Sequence, residues 1–490
     1  MTVVVRADAS AAIGVGHVMR CLALAQALAD LGGGPATFAM HDPPAGIVAR
    51  LAEEGMAVAE LEDPDDAAAT AALAVRLGAR WVVVDGYGFG APFEAMLRDR
   101  GLRVLAMDDR GIAPGHVADV LLDQNLGATG APYPDVPRLL LGPRYALLRR
   151  EFRAWTPPPR TTPDTARRVL VSLGGGDPDD VTGLVLDGLA KVGPPLEVVV
   201  LVGATNPHRS TLMARADTLD HAVEVVVDAR DVPARMAWAD LAITAAGGTS
   251  WELARAGTPQ LAIVIADNQA PVATALRGAG VAVSLGRHAD LSPAGVAAAV
   301  RELAADRARR DALSAAGRAL VDGQGAVRVL RESGIAPAAV LRDARPEDCE
   351  LVWQINNQES VRSQAVAKDP IPLEAHRRWY DATLARPDRI VRIGVDPRDG
   401  ADVGVVRLDL EGGAAVISVA VREDRTGHGI GPALIDAAVE AARDAGAHTV
   451  VAEVAPDNAR SLRAFSRCGF RRAGEGERDG VRLVRLERAT

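Results

Sequence analysis

Along the first two thirds of the chain, apolar and polar positions switch between two periods. Val3, Val4 and Val5 form a β-branched run of the kind a buried strand carries, and residues 19–29 follow with apolar positions at helical spacing. Residues 81–84 and 103–107 repeat the strand pattern with helical stretches between them, and 169–173, 197–202, 241–246 and 261–265 do so again. Strands and helices that alternate in this way predict parallel sheets covered by helices. Residues 156–163, Thr-Pro-Pro-Pro-Arg-Thr-Thr-Pro, break the rhythm, and consecutive prolines cannot continue a helix or a central strand, so a linker is expected there. Beyond residue 337 the pattern changes to two consecutive strands, 401–410 and 414–421, then a long alanine-rich helix to Ala445 and a strand at 449–454. These breaks predict domains at 1–155, 165–335 and 338–490, an α/β chain with two Rossmann-like domains and an α+β third domain.

Several predicted strands run into a glycine turn and then a helix, which is where open α/β sheets build sites. The first such turn holds Gly14, Gly16 and His17; others hold Gly174–Gly175–Gly176, Gly247–Gly248 and Gly427–Gly429–Gly431. Glycine lets the backbone approach a ligand closely, and the helix behind it presents free N–H groups and a partial positive charge, so an anion such as a phosphate ester is expected. His17 is the side chain of its turn that takes up a proton near neutral pH, although the local pattern equally allows it to cap or pack beside the helix. Asp85 and the pair Asp108–Asp109 end strands, where carboxylates either converge on the ligand crevice or form turns.

Composition narrows the functional classes. At 490 residues the chain exceeds one core, and a net charge of −9 with no basic run argues against nonspecific nucleic-acid binding. Cys21, Cys349 and Cys468 lie far apart without metal-like spacing, so neither a disulfide framework nor a metal site is expected. The chain opens directly into a strand and has no run of about 18 uninterrupted apolar residues, so a cytoplasmic protein without a membrane partner is expected.

Arg6, Asp8, Ser10, Ile13, Gly14, Gly16 and His17 spell R-x-D-x-S-x-x-I-G-x-G-H. With this motif, about the first 330 residues resemble the UDP-2,4-diacetamido-2,4,6-trideoxy-β-L-altropyranose hydrolases of pseudaminic acid biosynthesis. The resemblance implies that His17 is the base activating water against the anomeric carbon and that Asp85, in a D-x-Y-G element here written Asp85-Gly86-Tyr87-Gly88, lies in the catalytic site. It further implies sugar or phosphate contacts from Arg6, Asp8, Gly14, Gly16, Asn125, Tyr145 and Arg149. The paired Rossmann units are similar to nucleotide-sugar glycosyltransferases of the GT-B type. In that arrangement Gly175, Gly176, Gly248 and Ser250 belong to diphosphate-binding turns, Glu252 takes the ribose hydroxyls, and Asn268 and Gln269 face the cleft.

Leu341 to Asp348, Trp353, Asn356, the glycine turn 426–431 and the ending Asp457-Asn458…Ser461…Phe465…Gly469-Phe470 resemble the GNAT superfamily of N-acetyltransferases. The implied co-substrate is acetyl-CoA, with its pyrophosphate on Gly427, Gly429 and Gly431 and further contacts from Arg425 and Asn458. Thr426 stands where members usually carry Arg or Gln, and Phe465 stands where many carry a tyrosine acting as general acid. Glu453 is the candidate base. The combined expectation is a bifunctional enzyme that N-acetylates a 4-amino UDP-sugar and then hydrolyses the glycosyl–UDP bond. A glycosyltransferase fused to an acetyltransferase and a nonenzymatic nucleotide-sugar binder are the alternatives.

Overall fold

A computed structural model describes the whole chain apart from residues 1, 11, 12, 64, 114, 194, 204, 205, 337, 366, 367, 398, 428 and 479. Ala204 and Thr205 of the turn after Gly203, and His428 of the turn 426–431, thus lie outside the described residues. The chain divides into two compact units, Met1–Val329 and Leu330–Thr490.

The first unit holds two sheets. Strands β1 (Val3–Ala7), β2 (Thr37–His41), β3 (Ala57–Leu61), β4 (Trp81–Asp85), β5 (Arg103–Met107), β6 (Val120–Asp123) and β7 (Leu139–Leu141) form a seven-stranded sheet in the order β3-β2-β1-β4-β5-β6-β7, parallel throughout. Strands β8 (Arg168–Ser172), β9 (Glu197–Val202), β10 (Ala222–Val227), β11 (Leu241–Ala245), β12 (Gln260–Val264) and β13 (Ala282–Arg287) form a six-stranded parallel sheet in the order β10-β9-β8-β11-β12-β13. In each sheet the winding reverses beside the strand that opens it, between β1 and β4 and between β8 and β11. Such a switch point leaves a crevice at the carboxyl ends of the strands. The runs Val3–Ala7, Trp81–Asp85 and Leu241–Ala245 are buried over their whole length, as strands covered on both faces must be.

Strands β2, β3, β7, β10 and β13 lie off the central runs and were not singled out by the apolar pattern. β3 and β10 are sheet edges with alternating or partial burial, so their sequences carry a weaker signal. The proline stretch 156–163 carries neither helix nor strand.

The second unit is built on strands β14 (Val340–Asp343), β15 (Arg389–Val395), β16 (Asp402–Glu411), β17 (Ala414–Val421), β18 (Thr449–Val454), β19 (Arg471–Arg478) and β20 (Val481–Ala489), in the order β14-β15-β16-β17-β18-β20-β19. Every pairing is antiparallel except β17 with β18. Its main core gathers Val403, Val406, Leu434, Ala438, Val450 and Phe465 between the sheet and the helices Ile430–Asp444 and Ala459–Arg467.

Candidate functional site

In the first sheet, β1 delivers the chain to a tight turn held by Ser10 and Gly14, whose backbones pair with a 2.9 Å bond from the Gly14 N–H to the Ser10 carbonyl. Gly14 has φ +75°, a left-handed conformation that a side chain would strain. The helix Gly16–Asp30 follows with no side-chain cap and no acid in its first turn. Among the described residues the N–H groups of Gly16, His17 and Val18 have no partner, so they are available to an anion. His17 is half-buried, and its ring meets Tyr87 edge-on with centroids 4.9 Å apart.

Arg6 and Asp8 face inward. Arg6 is fully buried, grips both oxygens of Asp8 at 2.6 and 2.7 Å and stacks over Phe89, while Asp8 accepts the His41 N–H at 2.8 Å. These residues fasten the turn to β2, and a direct substrate contact by Arg6 is not what the geometry displays.

Asp85 is enclosed as well. Its side chain has no exposure, and both oxygens are taken by Arg20 at 2.6 Å. Arg20 continues to Asp109 at 3.1 Å, and Asp109 accepts the Tyr87 hydroxyl at 2.8 Å and the Asn125 amide at 2.7 Å. Burial alone would push the Asp109 carboxyl up, but the charge of Arg20 and bonds from Arg20, Asn125 and Tyr87 outweigh it and hold the group at about 2. Burial and the neighbouring Asp109 carboxylate push the Tyr87 hydroxyl well above the usual phenol range. Tyr87 therefore stays a hydrogen-bonding phenol, and it accepts the Asn268 amide of the second half at 2.9 Å. The sequence signal for Arg20 was a charged residue inside an otherwise apolar helix.

Asp108 belongs to a separate cluster. It is buried, accepts the Gly111 N–H at 2.7 Å and lies 3.5 Å from His116, which bonds Glu94 at 2.5 Å. Burial pulls the His116 imidazole down, but Asp108 and Glu94 overcome it and raise it to about 9. This cluster ties the loop after β5 to the helix Ala91–Asp99.

Across the crevice, β8 ends in the turn 174–176. Gly174 has φ +96°, and no partner is found for the three glycine N–H groups among the described residues. Gly203 must be glycine, since a Cβ there would fall 2.5 Å from the Gly175 carbonyl oxygen. A Cβ on Gly175 would stand 3.6 Å from Val15, so the turns after β1 and β8 face each other. The helix Val181–Leu189 is closed to an anion, because Asp177 already accepts its N–H groups at Val181 and Thr182, both at 2.9 Å. The helix Thr249–Ala256 is open: it has no side-chain cap, and the N–H groups of Gly248 and Thr249 lack partners among the described residues.

Ser250 is buried and donates to the Ala245 carbonyl at 3.3 Å. Glu252 binds Arg149 of the first half at 3.0 Å through Oε1; among the described residues Oε2 takes no hydrogen bond. Gln269 accepts the Ile265 N–H and closes the strand end, Asn125 serves the Asp109 network, and Tyr145 is buried under the Arg144 guanidinium.

In the second unit, β17 and β18 pair only from Ala414↔Thr449 to Ile417↔Ala452. Beyond that rung Ser418–Val421 stays with β16 while β18 goes on with β20, so the two strands part and leave a wedge. Glu453 lies one residue past the last shared rung and is exposed. The turn at the wedge has Gly427 at φ +86° and Gly429 at φ +79°, with open space around a Cβ on Gly427. The helix Ile430–Asp444 begins there with no side-chain cap and no acid in its first turn. The N–H groups of Gly427, Gly429, Ile430 and Gly431 have no partner among the described residues. A bare run of backbone donors in a wedge of this shape fits the pyrophosphate of acetyl-CoA.

Arg425 is drawn off this turn, with Asp399 at 3.1 Å and Asp396 at 3.9 Å. Asn458 caps the helix Ala459–Arg467 by accepting the Ser461 N–H at 3.0 Å. Phe465 packs edge-on against Phe470 at 5.0 Å in the core.

The profile of the acetyltransferase (GNAT) domain matches residues 339–471. Over 155 residues, 30% of this chain and 89% of the relative, the chain is 30% identical to the L-methionine sulfoximine/L-methionine sulfone acetyltransferase of Pseudomonas aeruginosa. It is 27% identical over 195 residues to the spore coat polysaccharide biosynthesis protein SpsG of Bacillus subtilis, covering 39% of this chain and 57% of that protein. It is 33% identical over 258 residues to the UDP-N-acetylglucosamine--N-acetylmuramyl-(pentapeptide) pyrophosphoryl-undecaprenol N-acetylglucosamine transferase of Nitratidesulfovibrio vulgaris, covering 48% of this chain and 67% of that one. The crystal structure of MurG from Acinetobacter baumannii superimposes with a TM-score of 0.51 at 16% identity, over 68% of this chain and 99% of that chain, and so shares the fold. Among the described residues no helix is long and apolar enough to cross a membrane.

Proposed function

This chain belongs, through residues 339–471, to the acetyltransferase (GNAT) family and carries a glycosyltransferase-like unit ahead of it, and from that premise we propose that it is a bifunctional nucleotide-sugar enzyme. In this reading the second unit acetylates the 4-amino group of a UDP-4-amino-4,6-dideoxy sugar. The first unit then hydrolyses the resulting UDP-2,4-diacetamido-2,4,6-trideoxy-β-L-altropyranose to free sugar and UDP, a step of pseudaminic acid biosynthesis. The two steps share one UDP-sugar scaffold, which gives the fusion its chemical logic.

The observation that carries the hydrolase reading is the position of His17. It stands on an uncapped helix end, edge-on to Tyr87, in a crevice whose far wall is a second turn of unbonded glycine amides. A diphosphate held by the amides of residues 174–176 and 248–249 places its glycosyl carbon toward the first half. His17 takes a proton from water as the water oxygen bonds to that carbon; the carbon–oxygen bond to the diphosphate breaks, and UDP departs with the electron pair, its charge met by the amides. Glu252 offers Oε2 to the ribose hydroxyls. Asp85 and Asp109 act by holding Arg20 and Tyr87, as positioning residues.

In the second unit, acetyl-CoA supplies an activated acetyl group. Gly427, Gly429 and Gly431 bind its pyrophosphate through their amides, and Glu453, at the mouth of the wedge, receives the proton of the attacking amine. A small-molecule acceptor is in keeping with the L-methionine sulfoximine acetyltransferase relative.

The second reading is a UDP-sugar glycosyltransferase, favoured by the 33% identity to an N-acetylglucosamine transferase. In it an acceptor hydroxyl replaces water in the same crevice. Incubation with the diacetamido UDP-sugar in oxygen-18 water separates the two. Label in the free sugar is the expected result, whereas turnover only when an acceptor is added overturns the hydrolase, and no turnover in either case leaves a nucleotide-sugar binder.

A further inference from the structure

Acetyl-CoA brings to the second unit a pyrophosphate and a separate phosphate on the 3′-hydroxyl of its adenosine, and among the described residues the glycine turn meets this charge with no free basic side chain. Thr426 bonds the Glu423 carbonyl, Arg425 is engaged by Asp399, and Arg422 pairs with Asp424 at 2.8 Å. Glu423 and Asp424, just before the turn, are exposed, and Asp424 is paired with Arg422, so the arginines of this stretch are engaged by acids.

The helix that follows β18 is basic. Arg460, Arg463 and Arg467 of the helix Ala459–Arg467 fall within an arc of about 60° at 3.6 residues per turn. All three are exposed, as is Arg471 at the start of β19, and none of them has an ion-pair or hydrogen-bond partner among the described residues. The carboxyl end of this helix is fastened to the start of the cofactor helix. The Cys468 thiol lies 3.6 Å from the Pro432 carbonyl, and Arg488 donates to both Asp436 of the cofactor helix and the Cys468 carbonyl, at 2.8 and 2.6 Å. The helix that carries Arg463 and Arg467 thus has its carboxyl end held beside the first turns of the cofactor helix.

We propose that Arg463 and Arg467 bind the 3′-phosphate of coenzyme A and make this unit discriminate coenzyme A from its 3′-dephospho form. The inference rests on acetyl-CoA as the co-substrate of the wedge. It assigns to side chains of the following helix the charge recognition that position 426 does not supply. Guanidinium groups on a solvent-facing helix suit a phosphate dianion because they remain charged at every working pH and pair bidentately with phosphate oxygens.

The test is calorimetric titration of the full chain with coenzyme A and with 3′-dephospho-coenzyme A, for wild type, Arg463→Ala/Arg467→Ala and Arg463→Lys/Arg467→Lys, with thermal unfolding as a check on folding. Wild type is expected to bind coenzyme A at least about tenfold more tightly than the dephospho form, a preference of ~1.4 kcal/mol that shrinks as salt rises. The alanine pair should bind both forms with the affinity wild type shows for the dephospho form, and the lysine pair should keep part of the preference. Equal affinity of wild type for the two forms overturns the proposal, as does a preference unchanged in the alanine pair or an equal weakening toward both ligands. Binding of neither form by folded wild type overturns it together with the wedge as an acetyl-CoA site.

Discussion

Arg20 is a single side chain on which two strand ends depend. It joins Asp85, 65 positions later, to Asp109, 89 positions later, and is itself largely buried. Removing it strands two carboxylates, one of them without any exposure, and breaking such a buried pair costs about 3–5 kcal/mol. Arg20→Ala is expected to lower the unfolding free energy by that amount in urea titrations. Arg20→Lys should recover only part, because an ammonium cannot grip both Asp85 oxygens and reach Asp109 as a guanidinium does. His17 is the opposite kind of residue: half-buried, with a ring contact to Tyr87 and little structural duty. His17→Asn should leave stability and UDP affinity near wild type while lowering hydrolysis by roughly 100- to 10,000-fold, the range for loss of a general base. Rapid-quench assay of UDP release and calorimetry with UDP check the two halves of that expectation, and undiminished hydrolysis removes His17 from the mechanism.

At the scale of the element, the loop after β5 is held by Glu94, His116 and Asp108, each nearly or fully buried. The His116 imidazole is raised from 6.5 to about 9 in the folded chain. A group raised on folding contributes its stabilisation fully below its unfolded value and loses it as the pH climbs through its folded value. Stability should therefore hold near pH 6 and decline between about pH 6.5 and 9, by at most about 3 kcal/mol if the whole shift is expressed. His116→Gln should be less stable at pH 6 and nearly flat across that window, which denaturant titrations at a series of pH values will read. A wild-type curve as flat as the variant's removes the buried imidazolium from the account. The wedge between β17 and β18 is likewise a property of an element. Ile417 and Ala452 form the last shared rung, and the lateral bonds lost beyond it leave room for an extended ligand.

At the scale of the whole molecule, the two units should be functionally separable within one chain. Gly429→Ala places a side chain at φ +79°, a cost of roughly 1–2 kcal/mol concentrated on the cofactor turn. It should weaken coenzyme A binding and slow acetylation while leaving hydrolysis of the diacetamido UDP-sugar unchanged, and His17→Asn should do the reverse. Wild type given the amino precursor and acetyl-CoA should release UDP only after coenzyme A appears. UDP released equally fast from unacetylated precursor contradicts that order. The apolar runs 3–5, 81–84 and 241–245 and the glycines at 14, 174–176, 247–248 and 427–431 were enough to determine parallel sheets, glycine turns between strand and helix and a change of architecture near residue 337, because period and backbone freedom are local properties. Local pattern did not reveal what the strand-end acids hold: Asp85, Asp108 and Asp109 look alike in sequence, yet one buries against Arg20, one lies against His116, and one joins Arg20 to Tyr87. Nor could it show that Glu252 meets Arg149, that Asn268 reaches Tyr87, or that β17 and β18 part after the Ile417↔Ala452 rung. Those contacts join residues tens to nearly two hundred positions apart, so only the assembled sheets, by setting which strand ends lie side by side, decide which charge meets which.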